Sequence, residues 1–141
     1  MKIFAIAIVL LLAALPAHAQ RANGKIDCKA TGTDFVYDCT IRLTQAGKPL
    51  TGAKVTLGAD MPSMPMAHNV RPSNAVPGPA PGEYRAKLDL EMLGEWAVKV
   101  RLDGPVKDLL ILHYSFDEKG AHPAVRPPKT PVKPGAPSHR H

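Results

Sequence analysis

Residues 82–104 read GEYRAKLDLEMLGEWAVKVRLDG, and this stretch decides the fold class. On each side of a central turn, apolar and charged residues alternate with a period of two, which is the pattern of a β-strand with one buried face. The two apolar faces consist of Tyr84, Ala86, Leu88 and Leu90, and of Trp96, Val98, Val100 and Leu102. Gly94 contributes to the turn between them. The stretch predicts two half-buried strands, with Trp96 as the buried anchor of the second.

The same alternation recurs along residues 25–116, and no helical period competes with it. Further apolar faces begin at Ile26, Phe35 and Ala53, and tight turns rich in Gly, Pro and Asp separate the segments. Residues 109–116 are apolar on both faces, so we expect this strand to be central. About six or seven short strands of this kind predict an all-β fold, an immunoglobulin-like two-sheet β-sandwich.

The first 19 residues have the pattern of an export signal. Lys2 precedes an apolar run over residues 3–15, Pro16 ends that run, and Ala17-His18-Ala19 offers small residues for cleavage. We expect a mature chain that begins at Gln20, works in the periplasm and keeps no membrane anchor. The alternative is an uncleaved anchor, but the run of 13 apolar residues is shorter than the ~20 that a membrane span needs.

The C-terminal residues 121–141 carry the excess positive charge. They hold four basic residues and no acidic one, whereas residues 20–120 hold 13 basic and 12 acidic residues. Because the tail has six prolines and few apolar residues, we expect it to be extended and disordered. The predicted organisation is a signal peptide at 1–19, one sandwich domain at 20–120 and a tail at 121–141. Nucleic-acid binding is not expected, since it needs a basic patch on the folded domain.

The two cysteines fit a β-hairpin. Cys28 and Cys39 flank a predicted turn at residues 31–34, and both lie on the inward side of their strands. Directly opposed residues in an antiparallel pair have Cβ atoms about 4.5–5.5 Å apart, near disulfide range. We therefore expect a structural disulfide in an oxidising compartment. The alternative is a pair of thiolate metal ligands. This alternative is disfavoured because the thiols of an exported protein oxidise.

Residues 60–68 read DMPSMPMAH and interrupt the strand pattern. The chain after the predicted signal has four methionines, and three lie in this segment together with a histidine: Met61, Met64, Met66 and His68. Pro62 and Pro65 exclude a helix and an interior strand, and they bias the residues before them to extended geometry. We expect a stiff loop of polyproline type that continues to about residue 81 at one end of the sandwich.

The methionine thioether is a soft, neutral donor that suits Cu(I), and a neutral imidazole binds copper generally. Thioethers also stay available in an oxidising space, where a cysteine pair is lost as a disulfide. The segment predicts a Cu(I) site on Met61, Met64, Met66 and His68. Met92, in the turn before Trp96, is a further candidate, and a core position fits it equally well. A packing role fits the spacing equally well: Met61 would continue the apolar face of β-strand residues 53–59, and the other methionines would fill the rim.

The chain resembles the YtkA-like or FixH-like domain family of exported bacterial proteins over roughly residues 25–116. Three segments carry the resemblance in the order and approximate spacing of that family: MPSMPMAH at 61–68, GEY at 82–84 and LEMLGEW at 90–96. The resemblance implies an immunoglobulin-like sandwich. It also implies associations with copper handling, metal efflux and cytochrome oxidase assembly. FixH proteins are usually membrane-anchored, which the expected mature chain is not.

The other histidines are weaker candidates for a metal site. His113 lies in an apolar strand, where a lone histidine is more often a hydrogen-bonded residue than a ligand. His122, His139 and His141 lie in the predicted tail. The sequence has no nucleophile–base arrangement, no phosphate loop and no His-rich zinc motif, so we do not expect an enzyme.

Three functions remain open from the sequence. The first is a periplasmic copper-binding protein that delivers or sequesters Cu(I), with periplasmic or membrane proteins of copper handling as partners. The second is a non-catalytic adaptor of a metal-efflux or cytochrome-oxidase-assembly system, with the Met-Pro loop as its contact surface. The third is a small-molecule carrier, which is disfavoured because only 5% of the residues are aromatic.

Overall fold

The computed structural model describes residues 20–64 and 66–125. These residues form ten β-strands: β1 Ala22–Ala30, β2 Val36–Gln45, β3 Lys48–Pro49, β4 Lys54–Asp60, β5 Asn69–Asn74, β6 Val76–Pro77, β7 Glu83–Asp89, β8 Gly94–Asp103, β9 Asp108–Phe116 and β10 Ala121–Pro123. The described part of the chain includes no helix long and apolar enough to cross a membrane. The predicted signal peptide and most of the predicted tail lie outside the described residues.

The strands form two antiparallel sheets that pack face to face. The first sheet has the order β1-β2-β7-β6, with β3 beside β2, and the second has the order β10-β9-β8-β4-β5. The predicted alternation is confirmed, because the apolar faces of β7 and β8 are buried while their charged residues are exposed or half-buried. The two strands of the stretch 82–104 lie in different sheets, so the turn at residues 90–93 crosses from one sheet to the other. The all-β sandwich is therefore confirmed.

The hairpin of β1 and β2 has the predicted register. Cys28 lies directly opposite Cys39, their Cα atoms are 4.0 Å apart, and a disulfide joins them. Both residues are 2% exposed. The disulfide prediction is confirmed, and neither sulfur is available as a thiolate ligand in this oxidised form.

The prediction of a long loop to residue 81 is wrong, because Asn69–Asn74 forms the edge strand β5 beside β4. The pairing shifts register between Leu57 and Ala59, and Gly58 lies against Pro72 at this irregularity. Proline is tolerated there because an edge strand with a bulge does not need every N–H for the ladder. The loop that connects β4 to β5 is consequently limited to residues 61–68.

The expectation that residues 109–116 form a central strand is confirmed for the strand order, because β9 has a neighbour on each side, but the outer face of β9 is not covered. β9 lies between β8 and the three-residue strand β10, and its outward side chains Leu109 and Ile111 are 40% and 53% exposed. Leu110 and Leu112 pack against the core instead. A strand that is apolar on both faces normally lies in a sheet with both faces covered. In this sheet only the inner face is covered, so the outward apolar residues of β9 are exposed.

The sheet extends past the domain boundary predicted at residue 120. Ala121–Pro123 pairs with the end of β9, from Tyr114 to Phe116, and the N–H of Ala124 donates to the carbonyl of His113 at 3.1 Å. The first residues of the predicted tail therefore belong to the sandwich. The prediction of disorder for residues 126–141 lies outside the described residues.

The turn before β10 is held by Asp117. Its Oδ1 accepts the N–H groups of Lys119 and Gly120 at 2.7 and 2.9 Å, and these hydrogen bonds hold the pKa of Asp117 below its ordinary value. The hydroxyl of Tyr37 donates to the Asp117 carbonyl at 2.7 Å. Burial, together with the carboxylates of Asp117 and Glu118, raises the pKa of Tyr37. These contacts link the β9–β10 turn to the first sheet.

Gly120 brings the two sheets into direct contact. It forms an isolated β-bridge with Lys29 of β1, and the neighbouring N–H of Ala30 donates to the carbonyl of Lys119 at 3.1 Å. A Cβ on Gly120 would lie 2.2 Å from the carbonyl oxygen of Cys28. Only glycine permits this close approach of two backbones.

Gly120→Ala should lower the free energy of unfolding by about 1–3 kcal/mol, because the new methyl group must displace a backbone carbonyl. Urea unfolding followed by tryptophan fluorescence measures the change. Gly58→Ala is the matched control, since its Cβ would meet the nearest atom of Pro72 at an ordinary 3.6 Å. Equally small effects of the two substitutions would contradict the close approach at Gly120.

Candidate functional site

The loop of residues 61–68 forms two consecutive turns rather than the extended strand expected from its prolines. The N–H of Met64 donates to the carbonyl of Met61 at 3.1 Å, and the N–H of Ala67 donates to the carbonyl of Met64 at 3.1 Å. Pro62 occupies the second position of the first turn, where its fixed φ is favourable. The N–H of Met61 donates to the carbonyl of His68 at 3.4 Å and closes the base of the loop.

Met61 is part of the core. It is 3% exposed and belongs to the buried cluster between the sheets. It continues the inward face of β4, on which Val55, Leu57 and Ala59 are buried. Its Cε lies 3.6 Å from the position that a Cβ on Gly94 would occupy. Met61 thus occupies the place that the packing interpretation predicts.

Met64 and Met66 lie at the surface. Met64 is 40% exposed and Met66 is 97% exposed. A methionine normally fills gaps in a core, and Met66 buries almost none of its surface. The loop therefore carries one methionine in the core, Met61, and two at the surface, Met64 and Met66.

His68 ends the loop and is half-buried. Its Nδ1 is in contact with the Oε2 atom of Glu91, and its ring lies edge-on to Trp96, with the ring centroids 6.4 Å apart and the planes at 72°. Glu91 belongs to the turn between β7 and β8, so this turn and the loop lie at the same end of the sandwich. Glu91 was not among the site residues predicted from the sequence. Its position next to Met92 was the available signal, but no periodicity predicts a contact between two separate loops.

Met92 lies in the same turn as Glu91, and its side chain packs against the core. Its carbonyl accepts the indole N–H of Trp96 at 3.2 Å. The backbone of Met92 therefore fixes the tryptophan that borders His68, while its side chain is partly buried.

The two described histidines outside the loop, His113 and His122, lie elsewhere on the second sheet. His113 is half-buried on β9, opposite Ala97, and His122 on β10 lies 3.0 Å from a carboxylate oxygen of Asp117. His139 and His141 lie outside the described residues. Within residues 20–64 and 66–125, no group of three or more His, Cys, Asp or Glu residues is arranged to hold a metal ion.

A family profile described as YtkA-like matches residues 26–101, which is more than half of the chain. The matched segment runs from β1 into β8 and includes both the loop of residues 61–68 and the turn that carries Glu91. No curated protein and no solved structure gives a significant match. The comparison supports the YtkA-like part of the sequence resemblance, and the FixH-like part stays a prediction.

Substitution by alanine should separate the core methionine from the surface one. Met61→Ala should cost about 2–5 kcal/mol of unfolding free energy, because it leaves a cavity in the core. Met66→Ala should change it by less than about 0.5 kcal/mol, because the side chain makes few contacts. Urea unfolding of both variants provides the measurement. A similar cost for the two substitutions would contradict this division of the loop.

Proposed function

The chain belongs to the YtkA-like family, and on that premise we propose that it binds Cu(I) through the loop of residues 61–68 and serves as a periplasmic copper chaperone or sequestration protein. The ligands in this proposal are Met64, Met66 and His68. Copper is the cargo of the protein, so the proposed role is binding and delivery without catalysis.

The exposure of Met66, at 97%, is the observation that carries the proposal. A thioether that packs against nothing contributes little to folding, and a fully exposed apolar side chain gains no hydrophobic stabilisation. Met64, two residues earlier, is also exposed, and His68 follows two residues later. Two soft sulfur donors and one imidazole on a loop of eight residues form the donor set that Cu(I) prefers.

The compartment and the disulfide agree with this donor set. The export signal predicted at residues 1–19 would place the protein in an oxidising space, and Cys28 and Cys39 are already joined. Cysteine thiolates are then absent as competing ligands among the described residues. The methionine sulfur forms no disulfide, so it stays available to coordinate a metal ion in this compartment. It also needs no deprotonation before it binds the ion.

The position of the loop favours exchange of the ion over its permanent retention. Met64 and Met66 lie on the outside of the sandwich, so a partner protein can approach the bound ion directly. Three donors also leave Cu(I) accessible to an incoming ligand. We therefore expect partners among periplasmic or membrane proteins of copper handling, with the ion passed by ligand exchange.

A second candidate function is a non-catalytic adaptor of a metal-efflux or cytochrome-oxidase-assembly system. Phe35 favours it, because this residue is 38% exposed and has φ of 60°. A bulky residue in the left-handed region costs about 1–2 kcal/mol, and such strain concentrates at functional sites. Phe35 and the exposed Leu93 line one hollow at the end of the sandwich that also carries the loop. Phe35 and Leu93 would supply the apolar part of a contact surface for a protein at this end.

Titration with Ag(I), a redox-stable substitute for Cu(I), against a chromophoric competitor separates the two functions. The exported protein should bind about one Ag(I), and the double variant Met64→Leu/Met66→Leu should bind it about tenfold or more weakly, because leucine keeps the volume and removes the sulfur. His68→Ala should weaken binding less than the double variant, since two of the three donors remain. It should also make binding less dependent on pH, because a thioether does not titrate.

Met61→Leu is the matched control for the titration, since it removes a thioether that lies in the core. It should leave Ag(I) binding unchanged. If the double variant binds Ag(I) as tightly as the original protein, the two exposed methionines are not ligands and the adaptor becomes the better explanation.

A further inference from the structure

Glu91 and His68 lie 23 residues apart in the chain and belong to different connections between strands. Their contact joins the loop of residues 61–68 to the β7–β8 turn, through Oε2 of Glu91 and Nδ1 of His68. The His68 side chain is 25% exposed and the Glu91 side chain is 52% exposed. The contact therefore forms at the surface, at the end of the loop that carries the two exposed methionines.

The contact determines which imidazole nitrogen carries the hydrogen. An ionised carboxylate only accepts hydrogen bonds, so Nδ1 must donate to it. In the neutral ring, the lone pair is then on Nε2. Histidines that bind metals are commonly oriented in this way, by a carboxylate on the nitrogen that does not bind the ion.

We propose that Glu91 is a positioning residue for the metal loop: it holds Nδ1–H of His68 and thereby presents Nε2 as the metal donor. This inference rests on the copper-binding function proposed above. It specifies the ligand class as a soft monovalent cation, Cu(I) or Ag(I), bound by Nε2 of one imidazole and the thioethers of Met64 and Met66.

Trp96 provides the second restraint on the imidazole. Its ring is completely buried, its N–H is bonded to Met92, and its edge-on contact with His68 limits rotation of the imidazole plane. With Glu91 on one nitrogen and Trp96 at the side, the imidazole loses little rotational freedom when a metal binds. Restraint of a donor before binding raises affinity because less ordering remains to be done.

A purely structural role explains the contact less well. Exposed ion pairs and hydrogen bonds contribute little to stability, and Glu91 is half exposed. The described contacts of its carboxylate are with His68. Its effect on the molecule should therefore appear in the state of the His68 ring and in metal binding rather than in the free energy of unfolding.

The test compares Glu91→Gln and Glu91→Leu in the exported protein. Glutamine keeps an oxygen that accepts Nδ1–H, whereas leucine keeps similar bulk and removes the acceptor. Glu95→Leu is the control, because it removes an equal charge at an exposed position on β8. Two-bond ¹H–¹⁵N NMR of the histidine rings, at a pH where imidazole is neutral, reports the tautomer, and Ag(I) competition reports affinity.

The original protein, Glu91→Gln and Glu95→Leu should all show the Nδ1–H tautomer of His68 and similar Ag(I) affinities. Glu91→Leu should show a mixture of tautomers and about tenfold weaker binding, with little change in unfolding. If Glu91→Leu keeps both the tautomer and the affinity, Glu91 does not position His68, although copper binding stands. If the original protein fails to bind Ag(I), the proposed function fails, and the positioning role fails with it.

Discussion

The Trp96 ring is completely buried between the two sheets, and its indole N–H is satisfied by the carbonyl of Met92. Truncation of a buried aromatic side chain typically costs about 3–5 kcal/mol. Its hydrogen bond fixes the turn between β7 and β8, which carries Glu91. Its ring lies in a T-shaped arrangement with the ring of His68, at the end of the loop of residues 61–68. The Trp96 side chain therefore belongs to the core and also contacts the proposed site. It restrains one side of the site, although the proposed donors lie on a loop.

The period of β4 divides the methionines by burial. Val55, Leu57 and Ala59 face the core, and Met61 is the next residue in the same phase. After it the chain turns at Pro62, and Met64 and Met66 no longer follow the strand. Met61 is consequently held by packing, Met64 is partly covered, and Met66 is almost fully exposed. The packing interpretation therefore applies to Met61, and the metal-ligand interpretation stays a proposal for Met64 and Met66.

Much of the fold could be predicted from the sequence, because alternation in a strand reports directly on burial. The position of Cys28 opposite Cys39 could be predicted from the same alternation, because both residues lie on the inward side of strands that flank one turn. β5 could not be predicted in this way, since Pro72 is tolerated because β5 is an edge strand with a bulge opposite Gly58. The exposure of β9 was also missed, because a run of apolar residues does not reveal which face of a sheet is covered.

The site was predictable in composition but not in arrangement. The cluster of methionines and the nearby histidine stand out in the sequence, whereas the contact of His68 with Glu91 depends on how two connections meet in space. The burial of Met61 depends on where β4 ends. These features arise from tertiary packing, so a local sequence pattern cannot predict them.

The central claim is that Met64 and Met66, and not Met61, bind the ion. The most direct measurement is an NMR titration with Ag(I) of protein labelled with ¹³C at the methionine methyl groups. The chain from residue 20 onward has four methionines, so four signals report on the four side chains separately. The account predicts that the Met64 and Met66 signals shift together and saturate at about one equivalent, while those of Met61 and Met92 stay in place. Unmoved Met64 and Met66 signals, or an equal shift of Met61, would contradict it.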